Sequence, residues 1–307
     1  MKHTNWQKKQ ERVIKIETNK NNGMEDTMEN KWIPMTSITS GKGQEVRRDI
    51  YCLPIQIVNV CFIGDVDRPN EWVLVDTGMP GCADKIIEAA NDRFGENNQP
   101  KAIILTHGHF DHVGAVVDLV ERWKVPVYAH ELELPFLTGK LNYPEPDGTV
   151  EGGLVAKMSP MFPNESVNLG NHVAPLPSEG TIPEMPGWRW VHTPGHTPGH
   201  VSFFRDEDRS LIVGDAFVTV RQDSLYEVLT QKQEINGPPR YFTTDWQEAW
   251  DSVKKLEALK PVAAVTGHGL PMMGEELARD LRKLSAEFDR LAIPDYGRYV
   301  DGEQSKQ

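Results

Sequence analysis

From Gln44 onward the chain alternates between apolar, β-branched runs and stretches with helical spacing. Tyr51–Ile63 (YCLPIQIVNVCFI) is apolar throughout, and Glu71–Val75 alternates into the turn Asp76-Thr77-Gly78, which predicts two strands in succession. Ala83–Phe94 places apolar residues at helical intervals and stops at Gly95. Lys101–Leu105 reads as a buried strand, His112–Trp123 as a helix and Val125–Ala129 as a short strand. Further on, Trp188–His192 is a strand, and Val201–Phe204 with Leu211–Val213 form a hairpin around Asp206-Glu207-Asp208. Asp245 caps a helix that runs to Leu259 and is stopped by Pro261. Val262–Thr266 is a last strand and Glu275–Leu291 a last helix.

Two stretches break this pattern. Residues 1–43 are polar and without periodicity, and their best apolar run, Val13–Ile16, is interrupted by Lys15. That is too short for a secretory signal, so a flexible N-terminal extension is expected. Glu131–Pro186 carries nine prolines. An irregular segment of that length inside a compact domain is either a functional lid or a surface insertion packed on its own domain. The organisation expected is an extension over 1–43, one domain over 44–293 with the insertion at 131–186, and a tail over 294–307.

Composition narrows the classes. The chain has 307 residues, 38% of them hydrophobic and 25% charged, with a net charge of −12. One domain of that size buries a full core without staples. The negative surface repels phosphate backbones, which argues against a nucleic-acid partner. No apolar run approaches the ~20 residues that span a bilayer. Three cysteines, Cys52, Cys61 and Cys82, fit neither a disulfide framework nor a CxxC zinc spacing, so a cytoplasmic protein without membrane partners is expected.

The ten histidines change the picture, because most of them cluster. Thr106-His107-Gly108-His109-Phe110-Asp111-His112 follows a predicted buried strand and opens a predicted helix. Four ligand-type side chains so close in sequence cannot all reach one ion, and a two-metal site divides them naturally. Imidazole and carboxylate ligands suit zinc, with manganese or iron as alternatives. Three more candidates stand at later strand ends: His196 beyond Trp188–His192, Asp215 after Leu211–Gly214, and His268 after Val262–Gly267. A rigid sheet with loops at its strand tips is a suitable frame for such a site.

These motifs, in this order and strand context, resemble the metallo-β-lactamase superfamily over residues 45–291. They are HxHxDH at His107–His112, TPGHT at Thr193–Thr197, Gly214-Asp215 and the Gly-His-Gly at 267–269. The resemblance implies an α/β fold, the four-layer αββα sandwich, with metals at one edge between two sheets. It implies one site of His107, His109 and His196 and a second of Asp111, His112 and His268, with Asp215 bridging. It also selects His196 over its neighbours His192 and His200, and gives Asp76 the task of bracing the metal loop from behind.

The same resemblance implies a metal-dependent hydrolase with two divalent ions, Zn2+ in first place. A metal-bridging hydroxide attacks an ester, lactone or thioester carbonyl of a small molecule, and Asp111 both ligates and orients the nucleophile's proton. Asp215 sets the chain apart from true β-lactamases, which lack that carboxylate. Glyoxalase II-type thioesterases keep all seven ligands but add a helical glutathione-binding region, for which the 39 residues after His268 leave little room. Lactonases of this kind carry a tyrosine where this chain has Val218, with Tyr226 nearby as a substitute. A phosphodiesterase fits poorly with the acidic charge. Outside hydrolysis, a mononuclear-iron persulfide dioxygenase shares the fold. The insertion's Phe136, Leu137, Leu141, Tyr143, Met158, Met161 and Phe162 would supply an apolar wall over the metals if it acts as a lid.

Overall fold

The structure is a computed structural model that describes residue 24 and residues 35–300. Twelve strands form two sheets among these residues. The first sheet holds β1 (Gln44–Arg47), β2 (Ile50–Ile55), β3 (Val58–Ile63), β4 (Val73–Val75), β5 (Ala102–Ile104), β6 (Val127–Ala129) and β7 (Val173–Pro175), side by side in chain order. β1 to β4 are antiparallel neighbours, whereas β4 to β7 run parallel. The second sheet contains β8 (Trp188–His192), β9 (Val201–Arg205), β10 (Ser210–Gly214), β11 (Ala263–Thr266) and β12 (Met272–Met273), ordered β12-β11-β10-β9-β8. Only β10 and β11 pair in parallel there.

Strand alternation sorts the side chains into layers. Cys61, Ile63, Val73, Val75 and Ile104 meet Val201, Phe203, Ile212 and Val265 in a core between the sheets. Their chain neighbours Val60, Phe62, Leu74 and Ile103 point the other way, onto α1 (Ala83–Phe94) and α3 (Val116–Trp123). On the far side Phe204, Leu211, Val213 and Ala264 pack under α4 (Trp246–Ala258) and α5 (Gly274–Ala286). Helix, sheet, sheet and helix make four layers, the αββα sandwich. Each fully buried Val, Leu, Ile or Phe contributes roughly 1.5–3 kcal/mol, so strands buried on both faces hold the layers together. Among the described residues no helix is long and apolar enough to cross a membrane.

Four elements differ from the sequence pattern, each for a local reason. Tyr51–Ile63 is two strands folded back at Gln56-Ile57, with Gln56 in the left-handed region at φ 57°. That turn lacks glycine or asparagine and is held from outside, by Ser37 donating to the Gln56 carbonyl and Ser40 accepting its N–H. Met35 and Ser37 are buried, so packing begins before Gln44. Most of the extension expected over 1–43, and the tail beyond residue 300, lie outside the described residues. The helix expected over His112–Trp123 is broken into α2 (Phe110–Val113) and α3. Gly114 causes the break: its N–H donates to the Gly78 carbonyl, and a Cβ there would lie 2.2 Å from the Pro80 nitrogen. The last helix also breaks, at Glu287, where Phe288 turns inward to stack on Trp250. Finally, the proline-rich insertion contributes β7 to the first sheet and buries Leu137, Val155, Ala156 and Phe162 in the first core. Leu141 and Met161 of the expected apolar wall are exposed instead.

Candidate metal centre

β5, β10 and β11 end at the same edge of the sandwich, and the loop from β8 to β9 arrives there too. Val201 N–H bonds to the Thr106 carbonyl, and Asn59 N–H to the Gly267 carbonyl, so the two sheets are stitched beside the site. The Asn59 amide adds bonds of 2.9 Å and 2.6 Å to the Thr266 and Gly269 carbonyls. Into this frame converge His107, His109, Asp111, His112, His196, Asp215 and His268, all buried. Their ligand atoms group as His107/His109/His196, His107/His112/Asp215 and Asp111/His112/His268, within 4.8 Å inside each group. Asp215 is central, its Oδ2 lying 3.5, 3.6 and 3.3 Å from Nε2 of His196, His112 and His268. His268 Nε2 is also 3.3 Å from Asp111 Oδ2. Gly267 makes this possible, since a Cβ there would fall 2.1 Å from Asp215 Oδ1.

Protons are assigned by what lies behind each ring. His268 Nδ1 is 2.8 Å from the Ile57 carbonyl, which only accepts, so Nδ1 carries the proton. His112 Nδ1 donates to Asp76 Oδ2 at 2.8 Å. Thr106 spends its hydroxyl proton on Asp76, so His107 Nδ1 must donate to that oxygen at 3.0 Å. Thr243 likewise donates to the Pro239 carbonyl, and His196 Nδ1 donates to Thr243 Oγ1 at 3.4 Å. In the neutral ring each of these four histidines therefore turns Nε2 toward a space walled by two carboxylates, and His196 Nε2 there accepts from His109 Nδ1 at 2.9 Å. His107 Nε2, His112 Nε2 and Asp215 Oδ1 have no hydrogen-bond partner although they are buried. Lone pairs facing carboxylates repel unless a cation lies between them. The donor set fits divalent metal.

The electrostatics divide the cluster. Burial pushes the His107 and His196 imidazoles well below the ordinary histidine range and His109 down to about 4. Burial also opposes charge on His268, but Asp215 and Asp111 overcome it and raise the ring to about 10. His112 is raised against the same burial by Asp215, Asp111 and Asp76. Against burial in turn, the His268 and His112 rings hold the Asp215 carboxyl well below its usual range. One side of the site is neutral, and the other demands positive charge.

The histidines that flank His196 are occupied elsewhere. His200 Nε2 accepts the Asp215 N–H at 2.8 Å and Nδ1 donates to Thr193 Oγ1, so both of its nitrogens are used. His192 Nε2 donates to the Pro198 carbonyl, and its ring stacks on His130. Asp76 accepts Thr106 N–H, Thr106 Oγ1–H and His112 Nδ1–H, each at 2.8 Å. Val218 is buried and Tyr226 is 72% exposed, so neither presents a phenol to the cluster.

Two contributors, Phe242 and Glu133, were not singled out in the sequence, and a third, Tyr143, was expected only as part of the insertion's apolar wall. Phe242 stacks on His109 at 4.5 Å, and Tyr143 lies 4.5 Å from the same ring. Glu133, in the turn after β6, is buried and reaches the loops on both sides of the cluster. Nothing local distinguishes it from Glu131, which is exposed two residues earlier.

The chain is similar to known proteins in sequence and fold. A family model described as the metallo-beta-lactamase superfamily matches residues 55–268. The probable metallo-hydrolase YflN of Bacillus subtilis (strain 168) is 49% identical over 258 residues, 84% of this chain and 98% of that protein. The hydroxyacylglutathione hydrolase GloC of Haemophilus influenzae is 32% identical over 151 residues, 48% of this chain and 62% of its own. Among solved structures, the di-iron-bound form of TTHA1623 is 30% identical with a TM-score of 0.50, covering 74% of this chain and 94% of that one.

Proposed function

The chain belongs to the metallo-beta-lactamase superfamily and is a metallo-hydrolase, and from that premise we propose that it cleaves an ester, lactone or thioester of a small molecule with two divalent ions. His107, His109 and His196 would hold one ion and Asp111, His112 and His268 the other, with Asp215 beside both groups. The observation that carries this reading is the set of four imidazoles whose Nδ1 partners turn Nε2 inward beside two buried carboxylates, with Nε2 of His107 and His112 left without a hydrogen-bond partner. Bound there, divalent ions acidify water and polarise a carbonyl oxygen. The chain's own groups do the rest. Asp111, held below the usual carboxyl range against burial by His112 and His268, accepts the proton of the attacking water as a hydrogen bond. Phe242 and Tyr143, packed on His109, exclude bulk water from that side. Asp76 and the Ile57 carbonyl keep His112 and His268 in the ligating tautomer.

Among substrates a thioester comes first, on the likeness to GloC. Zinc is the expected metal on ligand chemistry, and iron is the alternative, in line with the di-iron form of TTHA1623. Elemental analysis and a hydrolysis panel on one preparation test both points. About two zinc or iron ions per chain with thioesterase, lactonase or esterase turnover is the expected result. Fully loaded protein that turns over no member of the panel overturns it, and one iron per chain with oxygen uptake marks a dioxygenase instead.

A further inference from the structure

Glu133 is the residue through which the proline-rich insertion touches both loops of the three-histidine half. Four donors converge on its carboxylate. Oε2 takes the Gly108 N–H at 2.9 Å and the Tyr143 hydroxyl. Oε1 takes the Thr197 hydroxyl at 2.7 Å and the Gly199 N–H at 2.8 Å. Gly108 separates His107 from His109, and Thr197 follows His196. One side chain thus spans the two chain segments that must meet. The approach is close on both sides: a Cβ on Gly108 would lie 2.6 Å from the Tyr143 hydroxyl, and one on Gly199 would lie 2.7 Å from Glu133 Cγ. The carboxylate half is held differently, by Asp76, Thr77 and the Ile57 carbonyl, all carried by the first sheet or its turns.

We infer that Glu133 is the positioning residue of the three-histidine half: it clamps the His107–His109 loop to the His196 loop and so sets the spacing at which that half takes its ion. The inference rests on the metal-centre reading above. It acts through geometry, since no atom of Glu133 is a ligand. Only a carboxylate satisfies the arrangement, because all four partners donate. Glu133→Gln has one oxygen, and whichever way the amide turns, its NH2 faces two donors. A role confined to packing would loosen the fold as a whole; a clamp weakens one ion and spares the other.

The test measures ions, not turnover. Metal-free wild type and Glu133→Gln are titrated with Zn2+ against a chromophoric chelator, and the visible spectrum of each Co2+-loaded protein is recorded. Wild type is expected to take two ions. Glu133→Gln keeps one at wild-type affinity and loses about 10- to 100-fold on the other, as supporting shells of metal sites do, with a changed Co2+ spectrum. Both affinities and the spectrum unchanged, or both affinities weakened equally, overturn the clamp. If Glu133→Gln does not fold, Thr197→Val removes one donor of the four and gives the same one-sided loss at smaller size; equal affinities there overturn it as well. Wild type that binds no ion overturns the metal reading itself, a failure distinct from two ions bound equally well by wild type and variant.

Discussion

The two halves of the proposed metal centre are built from similar rings and held by opposite means. His112 and His268 are fixed from behind by a carboxylate and a carbonyl of the first sheet, and faced in front by Asp111 and Asp215. Their geometry is part of the sandwich, and their charge balance calls for a cation. His107, His109 and His196 are neutral by burial. His107 and His196 lean on threonine hydroxyls, one of them at 3.4 Å, His109 on His196, and their loops on a clamp supplied by an insertion. The first half is specified by the core and by charge, the second by loops. Removing support should therefore have unequal consequences on the two sides.

Asp215 is the group both halves share, so its loss should have the largest effect and erase the contrast. Asp215→Ala removes the central carboxylate from beside His112, His196 and His268. Hydrolysis is expected to fall on the order of a thousandfold or more, corresponding to the several kcal/mol a metal pair supplies. Steady-state kinetics with the metal content measured in parallel checks this. Near-normal turnover would mean that Asp215 bridges nothing.

Chelation separates metal from fold. An ion held at a hundred times its Kd stabilises by about 2.7 kcal/mol, so stripping wild type should lower Tm by roughly 5 °C or more in a domain of this size. In Asp215→Ala the shift on chelation should nearly vanish. Calorimetry with and without chelator reads both, and an unchanged wild-type Tm would show that the cluster keeps its shape without ions.

Asp76→Asn should fall hardest on the carboxylate half, and reach the other half only through the Thr106 hydroxyl beside His107. The carboxylate accepts three protons, and the new amide would offer two donors where His112 Nδ1–H and the Thr106 hydroxyl already donate. His112 then shifts its proton to Nε2 and loses the lone pair that faces Asp215. One ion should bind about 10- to 100-fold more weakly and the other be weakened less. This is the mirror image of the loss expected on removing the Glu133 carboxylate. Equal weakening of both ions in a chelator titration would show that the halves are not independent.

This asymmetry also sets what could be seen in the sequence. The seven clustered residues stand at strand ends or in one short motif, and strand ends are marked by apolar runs such as Ala102–Ile104 and Ala263–Val265. The four layers came from the resemblance, and the paired strands then place Cys61 and Phe62 on opposite faces by alternation. What escaped depends on contacts far away in the chain. The hairpin at Gln56 is held by Ser37 and Ser40, and the helix break at Gly114 by Met79-Pro80. The choice among His192, His196 and His200 came from resemblance. In the structure His200 is taken up by a relay in which Ser202 donates to the Val213 carbonyl, Thr193 to Ser202, and His200 to Thr193, and His192 is taken up by the Pro198 carbonyl. Glu133 and Glu131 share one local context, and only the folded insertion separates them.

The smallest effect belongs to Thr243, at the outer edge of the three-histidine half. Its hydroxyl donates to the Pro239 carbonyl and accepts from His196 Nδ1 at 3.4 Å, the far limit of a useful bond. Thr243→Val keeps the shape of the side chain and removes both bonds. His196 then loses its weakest restraint while Thr197, next in the chain, stays clamped to Glu133. The net worth of one neutral hydrogen bond is about 1 kcal/mol, so affinity for one ion should fall by less than about tenfold. Measured beside Thr197→Val, this variant ranks the two supports of the same ligand. If Thr243→Val weakens binding more than Thr197→Val does, His196 is positioned by the segment that carries Phe242, and the insertion is secondary to it.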